Sequence, residues 1–134
     1  MSNLITFSLK KNKQKAYTVL FVKINSTNLS CDNVTADNFL KEFKKYVVEN
    51  PGLLLIYDIR MVENINKKLM WEKASSLVSF NETAKRNIKA TSVISNSKLM
   101  VGIIKTVSKV HPFVTPIKFV DNNKDALNFI ESYL

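Results

Sequence analysis

The sequence predicts a single α/β domain over residues 1–134, with a mixed, mainly parallel β-sheet, an N-terminal β-hairpin and about four helices. Three observations lead there. Short β-branched or aromatic runs alternate with stretches that repeat apolar residues at helical spacing. The run LLLIYDI at 53–59 is apolar on successive positions, which suits a strand covered on both faces rather than one facing water. The chain of 134 residues also has the length of one domain, enough to bury a core without disulfides or metals.

Taken in order, the elements justify the class. Ile5, Phe7 and Leu9 alternate with Thr6, Ser8 and Lys10, the period of a half-buried strand. The polar run from Lys10 to Lys15 reads as a turn, and YTVLFVKI at 17–24 as the returning strand. After a polar loop at 25–34, Thr35 is placed to cap a helix reaching about Glu49. Phe39, Leu40, Phe43, Tyr46 and Val47 fall on one face of that helix, with Lys41, Glu42, Lys44 and Lys45 opposite. Pro51-Gly52 ends it, and the central strand follows.

Residues 66–87 read as one helix, with Leu69, Met70, Ala74, Leu77, Val78 and Ala84 inward and Trp71 at the edge of the stripe. A strand is expected at 88–95. Ser97 then caps a helix through about Ser108, buried through Val101, Ile104 and Val107, which His111-Pro112 breaks. The last strand is expected at 116–120. Asp121 or Asn122 opens a final helix with Ala126, Leu127, Ile130 and Leu134 inward. The resulting order, β-β-α-β-α-β-α-β-α, calls for right-handed crossovers between parallel strands.

The net charge is +9, but it is spread: residues 1–50 carry +4 and residues 51–134 carry +5. The one local cluster is Lys10, Lys11, Lys13 and Lys15. Eighteen lysines stand against two arginines, beside many asparagines and isoleucines, a mixture typical of AT-rich coding sequence, which weakens an inference from charge to nucleic acid. The single cysteine, Cys31, excludes an intramolecular disulfide and fits a reducing compartment. No basic segment with an apolar run opens the chain, and no apolar run approaches a membrane span, so a cytoplasmic protein without a signal peptide is expected.

Catalytic chemistry finds little support. The only histidine, His111, precedes a proline at a helix end, and Cys31 lacks a Cys-x-x-Cys partner. No cluster has the donors of a metal site. With Gly52 and Gly102 the only glycines, a phosphate-cradling glycine loop is excluded, and with it P-loop and dinucleotide binding. Asp58, at the carboxyl end of the central strand, stands where α/β folds place ligand-binding groups. The simpler role is to cap the next loop or pair with Arg60. Glu63, Glu72 and Glu82 read as solvated charges. Phe7, Tyr17 and Phe21 lie among lysines, as stacking residues do in single-strand binders. Burial explains Phe7 and Phe21, leaving Tyr17 as the exposed one. No enzyme activity and no cofactor is expected.

LLLIYDIRMVENI at 53–65 resembles the central strand and following loop of the STAS domains, the bacterial anti-sigma-factor antagonists and their SpoIIAA-like relatives. In that family an aspartate closes the strand and two apolar residues follow at set spacing, places that Asp58, Val62 and Ile65 take here. IKFVDNNKDALNFIESYL, from Ile117, is similar to the family's last strand and helix. The resemblance implies a STAS-like domain that meets a partner protein through this loop and the helix start after it. Regulatory members carry an Asp-Ser-Ser-Gly-like turn there, with a serine that a partner kinase phosphorylates. Asn66, Lys67, Lys68 and Leu69 occupy those positions here, so no hydroxyl is available. Ser75, Ser76 and Ser79 lie further along and read as ordinary helix positions.

The expected function is therefore a non-catalytic protein-interaction module whose contact surface is Met61, Asn64, Ile65, Asn66, Lys67 and Lys68. Its partner is another protein, or a second copy in a homodimer. The alternatives are polyanion (nucleic-acid) binding through Lys10, Lys11, Lys13 and Lys15, and a small SEC14-like lipid module. A lipid pocket would be lined by Met70, Leu99, Met100 and Ile103. Self-association would show as exposed apolar residues around Met61, Trp71 and Phe113.

Overall fold

A computed structural model describes residues 5–26, 33–64, 67–76, 78–109 and 113–134, with 33–35, 67, 69, 70 and 76 described by backbone alone. Cys31, Ile65, Asn66, Leu77 and His111 lie outside the described residues, as do the side chains of Thr35, Lys67, Leu69, Met70 and Ser76. The described elements are β1 (Ile5–Asn12), β2 (Tyr17–Ile24), α1 (Asn33–Glu49), β3 (Leu53–Asp58), α2 (Lys67–Ser76), α3 (Asn81–Asn87), β4 (Ile88–Ile94), α4 (Lys98–Ser108), β5 (Ile117–Val120) and α5 (Asn123–Glu131). The sheet runs β1-β2-β3-β4-β5, antiparallel between β1 and β2 and parallel elsewhere. The α/β class, the mixed sheet and the opening hairpin are those that the sequence predicts.

The faces follow from strand alternation. On β3, Leu53 and Leu55 turn to one side and Leu54 and Ile56 to the other, and all four are buried. Because the three crossovers advance across the sheet in one direction, right-handedness puts their helices on one face. There Leu20, Val22 and Leu55 meet Phe43 and Val47 of α1, while Val93 meets Met100 of α4. Among the described elements α5 alone lies on the opposite face, packing Ala126 and Ile130 on Val19, Leu54 and Ile56. Leu53 faces Ile88 but Leu54 faces Ala90, so one extra residue, Lys89, bulges β4 and sends Ile88 and Ala90 to opposite faces.

Several details differ from the sequence-based expectation. β1 extends to Asn12, so the turn is only residues 13–16, with Ala16 at φ 55° and Asn12 Oδ1 accepting from the Lys15 N–H at 3.0 Å. Helix α1 begins at Asn33, two residues before the cap expected at Thr35. The single helix expected over 66–87 is two helices joined by a 3-10 turn at Val78–Phe80. Ser75, Ser76, Val78 and Ser79 are weak helix formers. The break also lets Phe80 reach the ring of Phe43, at 6.4 Å in an edge-on contact. Val78, expected inward, is consequently exposed. On α4 the buried position is Met100, with Val101, Ile104 and Val107 half-buried. Leu134 is exposed because α5 stops at Glu131.

The caps expected at Ser97 and Asn122 form. Ser97 Oγ accepts from the Met100 N–H at 3.1 Å, and Asn122 Oδ1 from the Asp125 N–H at 2.8 Å. The Pro51-Gly52 turn requires its glycine, which sits at φ 81°, where a side chain would be strained. Among the described residues, no helix is long and apolar enough to cross a membrane.

Candidate functional site

The carboxyl end of β3 presents the loop that the sequence singles out. Asp58 closes the strand, as expected, and the fork of Arg60 closes over it. Arg60 Nε donates to Asp58 Oδ1 at 3.0 Å and Nη2 to Oδ2 at 2.7 Å, while the Arg60 backbone N–H donates to Oδ1 at 3.1 Å. This is both parts of the simpler role, a loop cap and an ion pair, and it leaves the carboxylate engaged on both oxygens. The loop is tied further by the Ile59 N–H donating to the Ile94 carbonyl and the Val62 N–H to the Ile59 carbonyl, both at 3.0 Å. Ile59 and Val62 sink into the core with Ile24, Val93 and Met100.

Between those two anchors Met61 points outward, 45% exposed. Glu63, Asn64 and Lys68 are also exposed, so the apolar thioether lies in a polar rim. The structure thus brings Met61, Asn64 and Lys68 to one end of the sheet. Lys67 starts α2 there, and Ile65 and Asn66, which complete the expected surface, lie outside the described residues.

The guanidinium fork, above all, holds the Asp58 carboxyl below its ordinary value of 3.8, aided by the backbone N–H and by Lys23 across the ladder. A carboxyl with a lowered folded pKa adds stability that is present above its ordinary pKa and lost as pH falls through the folded value. Arg60→Ala is therefore expected to raise the Asp58 pKa toward 3.8 and to cost roughly 1 kcal/mol at neutral pH, because the pair is partly solvated. Carboxyl-detected NMR titration checks the first, and urea unfolding at pH 7 and pH 3 the second. A cost as large at pH 3 as at pH 7 would mean that Arg60 acts by packing.

The lysine cluster is divided by its own strand. Lys10 turns to the α5 face, its Nζ 5.0 Å from the centre of the Phe21 ring. Lys11 takes the other face, Lys13 lies in the turn, and Lys15 pairs with Glu131 at 3.1 Å. Tyr17, expected to be the exposed aromatic, is half-buried and donates its hydroxyl to Glu131 Oε2 at 2.5 Å. Phe7 is covered by Phe39 and Tyr46, at 5.6 and 5.3 Å. Strand pairing thus turns these rings to the two helical layers, away from any shared stacking surface.

The other signatures separate likewise. Met100 is buried and Leu99 is 72% exposed, so these two of the expected lipid-lining residues do not face a common cavity. Met61, Trp71 and Phe113 are all exposed, but Met61 stands at the carboxyl end of the sheet and Phe113 at the other end, just before β5. Among the described residues, no three His, Cys, Asp or Glu side chains group as a metal site would need. A feature absent from the sequence reading is an open groove of about 920 Å³ beside β5, between α4 and α5. No pattern in the sequence marks it, because its lining comes from separate elements.

No family model matches the sequence, and no curated protein matches it. Among solved structures, the chain is similar to an uncharacterized protein of the DUF3478 family with a SpoIIAA-like fold from Shewanella loihica PV-4. The TM-score is 0.59 at 16% identity, covering 97% of this chain and 98% of that one. The fold is therefore SpoIIAA-like.

Proposed function

We propose that this SpoIIAA-like domain is a non-catalytic protein-interaction module that docks a partner protein through Met61, Asn64, Lys68 and the adjoining helix start at Lys67. The observation that carries this reading is the way Met61 is presented. An exposed methionine on a mobile loop would be unremarkable. Here its neighbours Ile59 and Val62 are buried, and the Asp58–Arg60 fork closes the base of the loop. A pre-shaped apolar tip in a polar rim binds at little cost in ordering. The full engagement of Asp58 by Arg60 supports a structural use of the one strand-end acid. The missing hydroxyl at Lys67 and Lys68 favours constitutive docking over a phosphoserine switch.

The test is a pull-down from the native cell with the tagged chain, washed at low and high salt. A protein retained at high salt by the wild type, and reduced about tenfold by Lys67→Glu with Lys68→Glu, is the expected result. Both forms should melt alike. Unchanged retention by the double variant removes this surface from consideration. Nucleic acid held at low salt and released at high salt would instead favour the lysine-rich hairpin as a polyanion site.

A further inference from the structure

We infer that the outer edge of β5 is a second docking surface, one that accepts an extended acidic peptide as a sixth strand. The backbone supplies the first half of the argument. The Thr91 N–H donates to the Pro116 carbonyl and the Ser95 N–H to the Val120 carbonyl, so the even-numbered residues of β5 turn their polar groups toward β4. Ile117 and Phe119 must then turn theirs outward. β5 is the last strand of the sheet, and among the described residues no strand covers that side. The groove of about 920 Å³ opens at the carboxyl end of this edge, beside Lys118, Phe119 and Val120, with α4 on one side and α5 on the other. A ladder of unpaired backbone groups in such a trough matches the repeat of an extended peptide rather than a compact small molecule.

The side chains supply the second half. Lys98, Lys105 and Lys118 line the groove, and none of them is in an ion pair among the described residues. Lys105 instead lies 5.5 Å from the ring centre of Phe119, and Lys118 lies 5.9 Å from that of Phe129. Asn122 Nδ2 bridges the two groove acids, donating to Asp121 at 2.6 Å and to Asp125 at 3.1 Å, which gathers them at the start of α5. Both acids keep their charge, so the lining carries three cations against two anions, and the α4 wall, with Lys98 and Lys105 and no acid, is the positive one. In an added strand, successive side chains point alternately to the two walls. Glutamates on the positions that face α4 meet Lys98 and Lys105, and apolar residues on the positions that face α5 meet Phe129. A second copy of this chain is the poorer occupant, because it brings a net +9 to a positive trough.

The experiment titrates the full, 15N-labelled chain with a short fluorescein-labelled peptide of alternating glutamate and valine. Binding should slow hydrogen exchange at the Ile117 and Phe119 amides and leave the β1 amides unchanged. Reversing Lys98, Lys105 and Lys118 to glutamate should weaken binding at least about tenfold. Reversing Lys10, Lys11 and Lys13, the same change in net charge, should leave it unaltered. The amide readout needs only the wild type, so it stands even if a variant unfolds. The proposal is overturned if the peptide does not bind, or if it binds while the Ile117 and Phe119 amides exchange freely. Loss of binding in the hairpin variant alone also overturns it. So does displacement of the peptide by equimolar inorganic phosphate, which would mark a small-anion site. Protection of the same amides by concentration-dependent dimerisation, without peptide, would assign the edge to a second copy.

Discussion

Phe43→Ala is expected to cost about 3–5 kcal/mol and to lower the melting temperature by about 10–20 °C. Phe43 is buried on α1, and its ring is a junction of three elements. It lies 6.1 Å from Phe39 on its own helix, 6.3 Å from Tyr57 on β3 and 6.4 Å from Phe80 in the turn between α2 and α3. Truncation opens a space that none of these can fill, since Phe39 is already stacked on Phe7 and Phe80 is fixed by the start of α3. Phe43→Leu keeps most of the volume and should cost only about 1–1.5 kcal/mol. Urea unfolding of the two variants checks the difference. A cost below about 1 kcal/mol for the alanine variant would mean that the helices close over the gap.

The same residue shows how far the sequence could be read. The 3.6-residue repeat in α1 is long and clean, so Leu40, Phe43 and Val47 could be placed in the core from spacing alone. β3 was legible for another reason: a short run of successive apolar residues after Pro51-Gly52 suits a strand covered on both faces. Residues 66–87 differ because the helical repeat continues through Ser75, Ser76, Val78 and Ser79, where local propensity favours a break and Phe80 gains a tertiary contact. The shift on α4 from Val101 to Met100 is one residue, or about 100° of helix, within the slack of a short stripe.

The candidate loop was half legible. Asp58 and Val62 take the places that the STAS resemblance gave them, and the Arg60 fork follows from two complementary charges two residues apart. The exposure of Met61 is consistent with the surface drawn from the same resemblance. The β5 groove was not legible, because it joins residues from α4, β5 and α5 that have no common pattern in the chain. The dispersal of the lysine cluster, by contrast, is a direct result of strand alternation. A run of cations on a strand is divided between two faces, whereas on one face of a helix it would be gathered.

Ile130→Ala is expected to cost about 2–5 kcal/mol, and to do so by loosening one layer rather than the whole core. Helix α5 is the only cover of its face among the described residues, and Ile130 is fully buried against Leu54 and Ile56. Two polar ties assist it. Ser92 Oγ, buried in β4, donates to the Ala126 carbonyl at 2.8 Å, and the Tyr17 hydroxyl and Lys15 hold Glu131 at the far end of the helix. The Tyr17 bond first, and Lys15 second, keep the Glu131 carboxyl below its ordinary value of 4.5. That tie is therefore present above the ordinary pKa and lost as pH falls through the folded value. Ser92→Ala alone should cost about 1–2 kcal/mol, since a buried bond goes but the helix remains seated. In the double variant the two costs should sum to less than their separate values, because a helix already lifted by Ile130→Ala no longer holds its Ala126 carbonyl over Ser92. Hydrogen exchange should show early opening in α5 and on the Val19 strand, with α1 still protected. Strict additivity, or uniform opening of both layers, would show that α5 folds as part of one indivisible core.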